Sequence, residues 1–405
     1  MTCEALTPSR RAVLGTAGAL FAWAAMPRFA FAAGNRDARF VTIILRGAMD
    51  GLTAVPPVGD PAYQDLRRSI ALSTTGPNAA LPLDGFFALH PAMVNLARLY
   101  AQGQAAIVHA SATAYRDRSH FDGQDVLESG FERPGRTESG WLNRLLATVP
   151  AGAGVNPGPK LKGVSVGTVA PLVIRGPAPV LGWAPPALKP AAGDLAPRLA
   201  DLYGSTDPLL ARTLHEAIET GKIASGLDVR AQGGPGDPIG MAQMATGAAR
   251  LIAQPDGPRI AALAFEGWDT HAQEVGRLGR LLGGLDGALA AFERELGETW
   301  KDTVILVVTE FGRTARVNGT DGTDHGTGTA AFLVGGAVKG GRVIADWPGL
   351  KPQQLRDGRD LAATTDLRAI VKGIAVDLLG CSPAALGEAV FPGSLAIAPM
   401  RGLVA

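Results

Sequence analysis

Short, unbroken apolar runs alternate along this chain with stretches of helical periodicity, and they leave few folds open to it. "FVTIIL" (Phe40–Leu45), "AAIVHA" (Ala105–Ala110), "RIAALAF" (Arg259–Phe265) and "TVILVVT" (Thr303–Thr309) hold few polar residues and many β-branched ones. Runs of this length without polar alternation read as strands buried on both faces. Shorter strands are expected at Ala330–Val334 and Arg342–Ala345. Elsewhere the apolar spacing becomes helical: near His90–Gln102, then at Ser119–Glu128, Trp141–Thr148, Leu199–Ser225, Pro238–Gln254 and Asp366–Leu379, the last followed by Gly380 as a C-terminal cap. The clearest helix carries Val275, Leu278, Leu281, Leu282, Leu285, Leu289, Phe292 and Leu296 on one stripe. Strands alternating with helices predict an α/β fold, a doubly wound and mostly parallel sheet with helices on both faces. Prolines and glycines crowd residues 154–197, which read as an inserted region of loops and short strands.

The first 32 residues read as an address. Ser9-Arg10-Arg11-Ala12-Val13-Leu14 is a twin-arginine motif, Ala12–Met26 is apolar but short for a membrane span, and Ala30-Phe31-Ala32 is a small-x-small cleavage signal. The expectation is a bacterial periplasmic or secreted protein, delivered by the twin-arginine export machinery, that begins at Ala33, forms one domain over 33–405 and has no membrane span in its mature part. That mature part holds 35 basic against 36 acidic residues. No basic stripe is interleaved with aromatics, so no nucleic-acid partner is indicated. Cys381 is the one cysteine past the leader, so any metal must be held by oxygen and imidazole.

In doubly wound sheets, ligands bind beyond the carboxyl ends of the strands. Polar chemistry follows four of the predicted strands there: Arg46 and Asp50 after the first, Ser119 and His120 after the second, "WDTHA" with Asp269 and His271 after the third, and Glu310 after the fourth. The stretch "TEFGRTARVNGTDGTDHGTG" then returns to Asp324-His325. Several carboxylates brought together repel unless a cation lies between them, and carboxylates with imidazoles suit Zn, Mn, Mg or Ca. Asp50, Asp269, His271, Glu310, Asp324 and His325 are therefore candidate ligands of a divalent metal ion. Gly312, Gly319, Gly322, Gly326 and Gly328 would let the last loop approach closely and adopt positive φ. Each piece has a plainer reading: Asp50 as a turn residue, Asp269-Thr270-His271 as a helix cap, "GTDGTDHG" as a polar turn. His90, His109 and His215 read as ordinary histidines. Gly163-Val164-Ser165-Val166-Gly167 matches the nucleophile elbow of serine hydrolases, but that elbow needs an immediate helix, and "TVAPLVIRGP" follows instead.

Taken together, "LRGAMDGL", "YRDRSHFDGQD", "GWDTHAQ", "TEFGRT" and "GTDHG" make the chain similar to a family of twin-arginine-exported bacterial proteins of unknown function, grouped with the alkaline phosphatase and sulfatase superfamily. The resemblance spans nearly all of the mature chain. It implies an alkaline-phosphatase-like sheet, with Asp50 as the first-strand metal aspartate and Ser119 near the nucleophile position. Asp269 and His271 match the Asp-and-His pair of one metal site, and His325 its late histidine. Glu310-Phe311 stands where the superfamily has Asp-His, so one ligand is changed and one lost. The expected function is a metal-dependent hydrolase of small anionic phosphate or sulfate esters. The metal would polarise the ester, Ser119 or a water would attack, Arg46 or Arg313 would clamp the oxygens, and His120 would protonate the leaving group. The alternatives are a catalytically degenerate exported protein serving metal binding or assembly, and a serine esterase built on Ser165.

Overall fold

The computed structural model describes residues 36–150, 163–186 and 229–405, with isolated positions between 199 and 214. The twin-arginine leader, most of the helix expected at Leu199–Ser225, His215, and parts of the expected insertion lie outside the described residues.

The apolar runs become strands because each can bury both of its faces. In chain order the described strands are β1 (Arg39–Leu45), β2 (Leu81–Pro82), β3 (Ala88–Leu89), β4 (Ala105–Ala112), β5 (Gly163–Val166), β6 (Val180–Trp183), β7 (Ile260–Phe265), β8 (Thr303–Thr309), β9 (Thr329–Val334), β10 (Arg342–Ile344) and β11 (Thr365–Asp366). The helices that matter here are α1 (Gly51–Ala54), α2 (Tyr63–Arg67), α3 (Val94–Ala101), α4 (His120–Ser129), α5 (Trp141–Thr148), α6 (Pro238–Ala253), α7 (Glu274–Leu296) and α8 (Leu367–Leu379).

Along β1, Val41, Ile43 and Leu45 enter one core while Phe40 and Ile44 enter the other, as a period of two requires. The first core is closed by α6 and α7, through Met241, Ala245, Leu278, Leu282, Leu285 and Phe292. The second is closed by α5 and α8, through Trp141, Leu142, Leu145, Ile370 and Ile374. The sheet is therefore covered on both faces. Its order is β10-β4-β9-β8-β1-β7-β5-β6, with β11 also on β4. Pairings are parallel except that β9 runs antiparallel to both β8 and β4. Two short strands described between 163 and 183, β5 and β6, extend this sheet at one edge. The small β2–β3 pair stands apart.

Register brings the carboxyl ends level: Leu45 lies opposite both Phe265 on β7 and Thr309 on β8. Because β9 runs backwards, residues 310–328 leave and re-enter the sheet at that same end. No helix among the described residues is long and apolar enough to cross a membrane. Cys381 is buried and unpaired, its thiol pushed up to about 12 by burial.

Candidate metal centre

Three chain segments deliver the centre. His120 is the first residue of α4, so its side chain leaves the helix start towards the strand ends. Asp269 and His271 lie in the turn after β7. His325 is held by a bridge to Arg313, just ahead of β9. Gly47 binds these turns together. At φ +119°, a side chain there would put Cβ 2.5 Å from the Asp269 amide nitrogen, so only glycine lets the β1 turn lie on the β7 turn.

The side chains converge on Asp269 Oδ1. His120 Nε2 stands 3.4 Å from it, His325 Nε2 3.3 Å and His271 Nε2 3.1 Å. The imidazoles also crowd one another, His325 Nε2 lying 2.9 Å from His120 Nε2 and 3.0 Å from His271 Nε2. Ligand atoms of His120, Asp269 and His325 all fall within 4.8 Å of one another.

The opposite ring nitrogens explain this crowding. His120 Nδ1 is 2.9 Å from Glu310 Oε1, His325 Nδ1 3.0 Å from the Arg118 carbonyl, and His271 Nδ1 3.2 Å from Asp324 Oδ1. Each outward nitrogen thus donates to an oxygen, which turns three Nε2 lone pairs inward. Lone pairs at such distances repel unless a proton or a cation lies between them. For bonds of about 2.0–2.1 Å, a tetrahedral zinc site has ligand-to-ligand edges of about 3.3 Å. The residues present fit a divalent ion held by imidazole and carboxylate, with outer acceptors fixing the tautomers.

Charge follows the same pattern. The hydrogen bond to Glu310 raises the His120 imidazole above its ordinary range, against the effect of burial. Burial lowers His325, helped by the neighbouring His120 charge. Burial would raise Glu310, yet hydrogen bonds from His120, the Gly47 amide and Gln124 hold it below the usual carboxylate range. Asp269 is likewise lowered, the Arg313 guanidinium and then the imidazoles outweighing desolvation.

Three expected ligands are placed elsewhere. Asp50 caps α1, its Oδ1 accepting from the Leu52 and Thr53 amides at 2.9 and 3.0 Å, and it pairs with buried Arg67. Its Oδ2 lies 3.2 Å from the Thr323 hydroxyl, whose proton goes to the nearer Glu274. With its lone pairs so engaged, Asp50 stands outside the cluster, and the plainer reading of a capping aspartate replaces the metal one. Glu310 is fully buried and spends its carboxylate on Gly47, His120, Gln124 and Thr309. It positions His120 and does not face the cluster. Asp324 similarly orients His271, itself held by Asn318.

The other candidates divide. His120, expected as a leaving-group acid, has both nitrogens engaged within the cluster. Ser119 immediately precedes α4 and its hydroxyl makes no capping hydrogen bond. Arg46, expected as an oxyanion clamp, is paired with buried Glu128 at 2.7 Å and with Glu266 at 3.4 Å. Arg313 is buried, its Nη2 ion-paired with Asp269 Oδ1 at 2.9 Å, while Nε and Nη1 find no hydrogen-bond partner. Ser165 is buried within β5 without a helix behind it, so the elbow reading fails.

Sequence reasoning missed the supports: Gln124, the Arg118 carbonyl, Arg67, Glu274 and Thr323. One left a trace, since Gln124 is four residues after His120 and both reach Glu310 from one helix face. Of the two roles expected of the five loop glycines, close approach is seen at Gly312, Gly322, Gly326 and Gly328, and positive φ is not. What Gly312 supplies is a missing Cβ, which would stand 1.9 Å from the Gly328 carbonyl.

Among solved structures the chain is similar to Ps i-CgsB, at 9% identity and TM-score 0.41, covering 90% of this chain and 75% of that one. It is also similar to the lipoteichoic acid synthase LtaP from Listeria monocytogenes, at 10% identity and TM-score 0.40, covering 92% and 78%. A third is the phosphonate monoester hydrolase of Agrobacterium radiobacter, at 12% identity and TM-score 0.33, covering 85% and 78%. A search of curated proteins finds no match. Residues 37–372 match the family described as "Protein of unknown function (DUF1501)", and the chain belongs to that family.

Proposed function

We propose that the chain is an exported, metal-dependent hydrolase of phosphate or sulfate esters, with the ion held by His120, Asp269 and His325 and flanked by His271. The observation that carries this reading is the inward convergence of three imidazole nitrogens on one carboxylate oxygen, each imidazole oriented by an acceptor behind it. A bound divalent ion would supply Lewis-acid polarisation of an ester oxygen. The chain's own residues do the rest. Glu310 and the Arg118 carbonyl fix two rings, Asp324 fixes the third, and buried Arg313 holds Asp269 through an ion pair. The side chains of Asp269 and His271 are each 43% exposed, so the cluster is open to an ester from solvent. The Ser119 hydroxyl, adjacent to His120 and free of any capping bond, is the candidate nucleophile.

Elemental analysis of natively purified protein, followed by aryl phosphate and aryl sulfate panels, tests the reading. The expected result is one bound divalent ion and turnover that falls by roughly a hundredfold or more in Asp269→Ala. Bound metal with no turnover in either panel would favour the second reading, a catalytically degenerate metal-binding or assembly protein. One observation supports that alternative. The Phe311 ring stacks on His120 at 5.1 Å and lies 5.5 Å from His325, closing one side of the cluster with an apolar wall.

A further inference from the structure

Arg118 stands two residues before α4 begins and adopts a φ of +64°. A residue that carries a Cβ resists this left-handed conformation and keeps it only where its surroundings over-determine it. The Arg118 side chain supplies that constraint. Its Nε lies 2.8 Å from Asp360 Oδ2, and its Nη2 lies 2.8 Å from the same oxygen and 3.0 Å from Asp357 Oδ2. The Asp360 side chain is wholly buried, so water and salt screen this pairing little. Asp360 is itself fixed through its backbone, which exchanges hydrogen bonds with Arg356 at 2.9 and 3.0 Å.

The peptide unit that follows Arg118 is pinned at both of its polar atoms. Its carbonyl accepts from His325 Nδ1 at 3.0 Å, and its amide, that of Ser119, donates to the Tyr115 hydroxyl at 3.1 Å. A return of Arg118 to negative φ would swing this unit away from His325. The segment around Asp360 also grips the other partner of that bond. The Leu361 carbonyl accepts from the Gly328 amide at 2.9 Å and the Thr327 hydroxyl at 3.0 Å, just past His325. One late segment of the chain thus holds both sides of the contact that turns His325 inward.

Resting on the metal reading above, we infer that Asp360 is a positioning residue of the metal centre: its ion pair keeps Arg118 in the left-handed conformation, and that conformation aims the Arg118 carbonyl at His325 Nδ1. Asp360 itself stays outside the cluster and acts through Arg118. Without the pair the carbonyl turns away, the His325 ring loses its fixed orientation and tautomer, and its inward nitrogen is no longer reserved for a cation.

The experiment replaces Arg118 in two ways that both abolish the pair. Arg118→Gly and Arg118→Ala leave Asp360 with the same remaining partner, Arg359 Nη1 at 3.3 Å, but glycine adopts positive φ freely and alanine resists it. The full mature chain, stripped of metal, is titrated with Zn2+ for affinity and with Co2+ for the visible absorption that reports ligand geometry. Arg118→Ala and Asp360→Asn are expected to weaken Zn2+ binding by about tenfold or more and to change the Co2+ spectrum. Arg118→Gly is expected to keep most of the wild-type affinity and the wild-type spectrum, and adding it to Asp360→Asn should restore both. Glycine and alanine variants that bind alike, or an Asp360→Asn protein that binds as the wild type does, overturn the inference while leaving the metal site standing. A wild type that binds neither ion overturns the inference and the reading beneath it. If Asp360→Asn fails to fold, the contrast between glycine and alanine at position 118 decides the matter.

Discussion

At Glu310 four donors meet one buried carboxylate, and the shape of the centre depends on that arrangement. The Gly47 amide, His120 Nδ1, Gln124 Nε2 and the Thr309 hydroxyl all point to it. Glu310 therefore acts through His120, fixing its tautomer and making its inward nitrogen a better donor to a cation. Glu310→Gln is expected to weaken metal binding by about 10–100-fold. The pH dependence carries a further signature. Because Glu310 raises the His120 pKa, protons compete with metal from a higher pH than for an ordinary imidazole, so wild-type affinity falls early on acidification. In the variant that fall is expected at lower pH, from an already weaker plateau. Metal titrations between about pH 5 and 8 separate the two effects. Some of this was legible in the sequence and some was not. A glutamate ending a strand, an Asp-Thr-His turn and a late Asp-His pair announce a shared destination because strand ends are where a parallel sheet gathers polar groups. Which carboxylate turns inward was illegible. Asp50 is decided by Arg67, a partner 17 residues away that no local pattern marks.

At the scale of an element, α7 shows what its own sequence settles. Leu278, Leu281, Leu282, Leu285, Leu289, Phe292 and Leu296 are buried as their stripe predicts, whereas Val275, in the first turn, is 55% exposed. Asp286, on the same helix, accepts from the Asn95 and Leu96 amides and so caps α3 from outside. The first residue of α7, Glu274, is fully buried, accepting from the Thr53 hydroxyl at 2.8 Å and the Thr323 hydroxyl at 2.6 Å. Burial, together with the charge of neighbouring Asp50, pushes its carboxyl up to about 8. In the unfolded chain it ionises near its ordinary value, so between there and about pH 8 the folded state keeps a proton that the unfolded state has lost. Glu274's contribution to stability therefore falls as pH rises through that window and levels off above it. Glu274→Gln should remove the slope, a difference on the order of a few kcal/mol across the window. Urea unfolding midpoints at several pH values measure it, and parallel curves for the two proteins would refute the assignment.

Across the whole molecule, the sheet was largely legible because β1, β4, β7 and β8 are written as continuous apolar runs, and burial on both faces leaves such runs few other fates. The reversal of β9 was not, because strand direction is set by which edge a loop returns to and not by side-chain pattern. Nor was it visible that β5 and β6 would join the main sheet, since short runs among prolines and glycines fit a loop region equally well. The architecture makes a prediction of its own. An ion that binds only the folded chain stabilises it by mass action, by about 2.7 kcal/mol at a hundred times Kd. Thermal unfolding with added Zn2+ or Mn2+ is expected to move upward in the wild type and stay unmoved in Asp269→Ala, while chelation reverses the shift.

His120 follows β4, Asp269 follows β7, and His325 precedes the backward-running β9. No contiguous fragment of the chain owns the centre, so a nascent or half-assembled polypeptide has nowhere to seat a cation. On the metal reading proposed above, capture of an ion would follow the docking of the last of these segments, and the compartment in which that happens would decide which ion is carried.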